Sequence, residues 1–143
     1  MVRKVKKFKE FLEKNQIKCF SEEDFEDELK TTIFRSHMEI EGQKLTVVIV
    51  LDSSIYSIVR VMIIPKVLSK HSQREVLEYI NELNRKYKVF KYYITQEGDL
   101  CLDSCITSSQ EDFNSEILYT VIDVILKHLV EEYPIIMKKI WVD

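Results

Sequence analysis

The side chains able to do chemistry are few and scattered. His37, His71 and His128 are far apart in the sequence, and none stands beside a serine or cysteine in a nucleophile motif, so a triad would have to be assembled wholly by the fold. Cys19, Cys101 and Cys105 form neither a C-x-x-C pair nor part of an H-E-x-x-H arrangement, the short spacings that hold a metal. Cys101 and Cys105 share one predicted strand and point the same way, but at ~3.3 Å per residue they lie ~13 Å apart and cannot chelate together or bridge. They read as reduced, small side chains on a partly buried face. Glu22, Glu23, Asp24, Glu26, Asp27 and Glu28 supply many carboxylates without the alternating ligands and central glycine of an EF-hand loop. A solvated acidic turn, able to contact the basic first helix, is expected there. Arg3, Lys4, Lys6, Lys7 and Lys9 raise the idea of RNA or an anionic membrane. Only Phe8 and Phe11 accompany them and the core claims both, so these cations read as a solvated helix face. No cofactor and no metal are expected. Catalysis reduces to one alternative, a small hydrolase or transferase whose pocket joins His37 to Asp103 or Glu97.

These residues must be carried by a chain of 143, of which 45% is apolar and 31% charged, with a formal charge of −3. A chain of this length buries roughly two thirds of the surface its unfolded form exposes, so it can hold a core without disulfide or metal staples. An odd cysteine count fits reduced thiols. Two glycines and two prolines exclude a glycine-rich phosphate loop and any long linker. The near-neutral balance lacks the basic excess of a nucleic-acid binder. No window approaches the ~18 apolar residues of a membrane span, and the lysine-rich start is not followed by an apolar signal-peptide core. A soluble, cytoplasmic protein forming one domain over 1–143 is expected.

The periodicity of apolar residues sorts the chain into elements. Val5, Phe8, Phe11 and Leu12 fall at helical spacing and predict an amphipathic first helix ending near Asn15. The acidic stretch 21–28 reads as a short helical turn or an irregular connection. From about Thr31 the period changes to two. If Glu41 and Gly42 form a two-residue turn, Met38 pairs with Leu45 and Phe34 with Ile49. Asp52, Ser53 and Ser54 lead into a β-branched run from Ile55 to Ile64 that Pro65 terminates. Ser72 and Glu75 have capping-box spacing ahead of a stripe of Val76, Leu77, Ile80, Leu83 and Tyr87. Phe90, Tyr92 and Ile94 then share a face with Leu100, Leu102 and Ile106 if Gly98 takes the left-handed position in a loop of Gln96, Glu97 and Gly98. A last helix starts between Ser109 and Asp112 and runs to about Glu132, with a break expected at Tyr133 and Pro134. It is apolar around more than half its circumference, which calls for packing against the sheet and against another helix or subunit as well. The fold class is therefore α+β: an antiparallel five-stranded sheet in the order helix, three strands, helix, two strands, helix, with the helices mainly on one face.

That register divides the sheet. One face takes Phe34, Leu45, Val47, Ile49, Val59, Val61, Tyr92 and Leu102 and can be roofed by helices. The other carries Ile33, Val48, Val50, Tyr56, Ile58, Met62 and Tyr93, with Arg35, Arg60, Lys91 and Asp103 among them. It is apolar for a solvated surface, and contiguous patches of this kind mark interfaces unless something covers them. Either the first helix folds over it or a partner does. Val48, Val50, Tyr56, Ile58, Met62 and Tyr93 are the candidate partner-binding residues.

Val76-Leu77-Glu78-Tyr79-Ile80-Asn81-Glu82-Leu83-Asn84, then Phe90-Lys91-Tyr92-Tyr93-Ile94, Glu97-Gly98-Asp99-Leu100 and a long apolar helix ending in Tyr133-Pro134 together resemble the YbjN-like family. The fold of that family is similar to the class I type III secretion chaperones, with this element order. The resemblance implies a small, often dimeric, non-enzymatic protein that binds another polypeptide, and it carries over no catalytic residue. Asn81 and Asn84 match the family's helix-end asparagines, and Asn84 is expected to bond nearby backbone. Residues and resemblance agree on a chaperone-like or regulatory binding module whose partner is another polypeptide or a second copy, with no nucleic acid and no membrane span.

Overall fold

The computed structural model describes residues 2–69 and 72–141. Helix α1 (Arg3–Lys14) leads through β1 (Ser21–Asp24) into β2 (Thr32–Ile40), β3 (Gln43–Leu51) and β4 (Tyr56–Ile64). Helix α2 (Gln73–Lys86), β5 (Lys91–Ile94), β6 (Leu100–Thr107) and α3 (Ser115–Trp141) follow. The strands form one antiparallel sheet in the order β1-β2-β3-β4-β6-β5.

Two tight turns set the register. Glu41 and Gly42 both adopt positive φ, 52° and 76°, as a two-residue turn between strands of right-handed twist requires. Met38 consequently faces Leu45, and Phe34 faces Ile49. Gly98 sits at φ 86° in the second turn, closed by Thr95 N–H to Asp99 O at 2.9 Å, so that Tyr92 faces Leu102 and Ile94 faces Leu100. Both pairings are those the glycines predict.

The sheet has six strands rather than five. The sixth is β1, in the acidic stretch that alternation could not reveal because all four of its residues are exposed and none is apolar. Backbone pairing with Thr32–Arg35 makes it a strand, and three side-chain contacts hold it: Lys9 to Glu22 at 3.2 Å, Arg35 to Glu23 at 3.1 Å, and the Thr32 hydroxyl donating to Asp24 at 2.7 Å. A short, charged strand is what a sheet edge tolerates without inviting other chains to pair. The opposite edge is finished differently. Asn84, at the end of α2, donates to the Tyr92 carbonyl at 3.0 Å and accepts from the Tyr92 N–H at 2.8 Å. Its amide thus takes the place of a neighbouring peptide on β5.

All three helices lie on the face of Phe34, Val47, Ile49, Val59, Val61, Tyr92 and Leu102, and every one of these side chains is buried. Helix α1 inserts Val5, Phe8 and Leu12 into that core, with the Phe8 ring edge-on to Phe34 at 5.0 Å, and leans Phe11 on Tyr119 of α3 at 5.6 Å. It therefore does not cross to the second face. Helix α2 starts as its capping box predicts, the Ser72 hydroxyl accepting from Glu75 N–H at 3.2 Å. Its buried stripe is Val76, Tyr79, Ile80 and Leu83, whereas Leu77 turns to solvent.

Two sequence expectations for the last helix fail. It begins at Ser115, where the Asn114 carboxamide oxygen accepts from the N–H groups of Glu116 and Ile117, rather than between Ser109 and Asp112. It also continues through Pro134 to Trp141. A proline inside a helix costs about 3 kcal/mol. Burial of Tyr133 at the expected break and of Ile136 and Ile140 beyond it offsets that cost, and the Val130 carbonyl that loses its donor belongs to an exposed residue, where water can reach it.

This division of α3 yields a stability test. Ile125 is fully buried and Ile117 is 53% exposed. Ile125→Ala should cost about 3 kcal/mol in chemical unfolding and Ile117→Ala less than about 0.5 kcal/mol; equal losses would contradict the packing described.

Candidate protein-binding face

On the uncovered side of the sheet the residues line up in three cross-strand rows. Ile33, Val50, Ile58 and Cys105 make one; Arg35, Val48, Arg60, Asp103 and Lys91 the next; His37, Thr46, Met62, Cys101 and Tyr93 the third. All six candidate residues, Val48, Val50, Tyr56, Ile58, Met62 and Tyr93, fall on this side. None belongs to the buried core cluster, and Tyr56 is 52% exposed. Ile33 extends the same apolar surface on β2.

The charges of the middle row are engaged by neighbouring groups. Arg60 reaches Asp103 in a two-pronged pair, Nε to Oδ1 and Nη2 to Oδ2 both at 2.9 Å, and its guanidinium lies 5.9 Å from the centre of the Tyr93 ring. The bonded carboxylate pushes the Arg60 pKa further up, while burial and Asp103 together raise that of Tyr93. Arg35 pairs with Glu23, and the Lys91 ammonium donates to the Asn84 and Tyr87 carbonyls at 2.7 and 2.8 Å. Cys101 rests 3.9 Å from the Met62 sulfur, and burial pushes its thiol up to about 11, so it stays protonated and inert at neutral pH. The middle of the face is apolar with paired charges, and Glu39 and Lys44, opposite each other on β2 and β3, stand exposed at one end of it.

The residues of the enzymatic alternative are kept apart. His37 and Asp103 lie on β2 and β6, three strand spacings or ~14 Å from each other, and Asp103 is already engaged by Arg60. Glu97 sits in the turn at the end of β5 and β6, on the opposite side of the sheet from β2. His128 is on the other side of the sheet, and His71 lies outside the described residues. Among the described residues there is no cluster of three or more His, Cys, Asp or Glu able to hold a metal.

The cations of α1 have structural partners that their sequence pattern hides. Lys4 is fully buried, its ammonium donating to the Tyr56 carbonyl at 2.8 Å and the Ser57 hydroxyl at 3.0 Å, and desolvation lowers its pKa. Its backbone N–H, an orphan of the first turn, is taken by Gln110 at 3.1 Å. Lys7 donates to the Glu111 and Phe113 carbonyls, and Arg3 pairs with Glu111. The expectation of a wholly solvated basic face is thereby corrected for Lys4 and Lys7: both fasten α1 to the sheet end and to the loop before α3. No spacing rule marks them, because the groups they bond are backbone carbonyls distant in sequence.

No family model matches the sequence, and no curated protein matches it either. Among solved structures, the Yersinia pestis type III secretion chaperone SycH, crystallised in complex with a stable fragment of YscM2, superposes with a TM-score of 0.53 at 15% identity, covering 89% of this chain and 97% of that one. The fold is similar to that of a type III secretion chaperone. This agrees with the fold expected from the element order; the YbjN-like resemblance itself continues to rest on the residues quoted for it. Among the described residues no helix is long and apolar enough to cross a membrane.

A second polar group lies under the helices. The His128 ring is packed between Tyr87 and Phe90, each 4.3 Å away centre to centre, and its Nε2 is 2.6 Å from the Tyr92 hydroxyl. One turn on, the buried Glu132 carboxylate accepts from the Tyr79 and Tyr87 hydroxyls at 3.4 Å. Burial, with a smaller contribution from Lys86, lowers the His128 pKa from 6.5 to about 4. The unfolded chain therefore takes up a proton before the folded one does. The contribution of the neutral ring is complete above about pH 6.5 and is lost as the pH falls from there towards 4. Unfolding midpoints should drop more between pH 7 and pH 5 in the native protein than in His128→Gln; parallel drops would locate the titration elsewhere.

Proposed function

We propose that this chain is a non-enzymatic, YbjN-like protein that works as a chaperone-like or regulatory binding module. On this reading residues 1–143 form a single cytoplasmic domain. Its open sheet face, centred on Val48, Val50, Tyr56, Ile58, Met62 and Tyr93, binds a polypeptide partner or a second copy. Binding here means burial of apolar area at about 25 cal/mol per Å², with no bond made or broken.

The observation that carries the reading is the one-sidedness of the fold: three helices roof one face and leave apolar side chains from four strands of the other uncovered. The likeness to SycH, a chaperone solved with a polypeptide fragment bound, supports a binding role for this architecture. The enzymatic reading loses its support with the separation of His37, Asp103 and Glu97.

Site-specific photocrosslinking in the native host tests the face. A crosslinkable residue at Ile58 should capture a discrete polypeptide that the same residue at Ile117, exposed on α3, does not. Val50→Asp in the Ile58-labelled protein should abolish the adduct while leaving the circular dichroism unchanged. Capture from Ile117 and not from Ile58 would move the interface to the helix layer and end this reading.

A further inference from the structure

We draw no further inference here: the strongest candidate, the cleft of about 790 Å³ that opens where β3 and β4 cease to pair beyond Val47 and Val61, above Pro134 and Met137 of α3, carries nothing because nothing in the structure shows what fills it.

Discussion

The pleat of a β-strand sends successive side chains to opposite sides, and in this molecule everything else follows from how the two hairpin turns lock that alternation across neighbouring strands. With Glu41 and Gly42 in the left-handed region, β2 and β3 can meet only with Phe34 against Ile49; with Gly98 there, β5 and β6 meet with Tyr92 against Leu102. A slip of one residue at either turn would send Ile49 or Leu102 to the open side and bring Val48 or Asp103 under the helices. The core, the neutral charged row of the open face and the site proposed on it are consequences of one register.

Much of this was legible because alternation and turn chemistry act locally. Gly42 and Gly98 mark the reversals, Ser72 and Glu75 mark a helix start, and the split of Val47, Ile49 and Val61 from Val48, Val50 and Met62 needs nothing beyond counting by two. The asparagine at position 84 was readable in kind, as a backbone binder, although its acceptor and donor lie on β5 and not in its own helix. Illegible features depend on groups far apart in the chain. Strand β1 has no apolar residue to alternate and exists only because β2 offers it a ladder. Helix α3 passes Pro134 because Ile136 and Ile140 find the core, a tertiary gain that overrides a local penalty. Lys4 and Lys7 look like any surface lysines until the carbonyls of Tyr56, Glu111 and Phe113 are placed beside them.

Burial of Lys4 also explains why α1 cannot serve as the roof of the second face. Its ammonium is tied to the start of β4 and its backbone to Gln110, which itself bonds the Asp52 and Ser54 carbonyls of the β3–β4 connection. The first helix is thus fixed at both its charged and its apolar side, with Phe8 against Phe34 in the core. Removing it to cover the other face would take the ammonium from the buried Ser57 hydroxyl and from the Tyr56 carbonyl and would unroof β2. The first helix, which could have covered the open face, is held by polar contacts on the closed side.

A sheet with one apolar face uncovered runs the hazard of polymerising, since it can also extend sideways, strand upon strand. Here the border beside β5 is stoppered by a single carboxamide, that of Asn84, bonded to both main-chain groups of Tyr92. An incoming chain finds the groups of Tyr92, at the middle of that flank, already taken, so the strand offers it no unbroken ladder to copy.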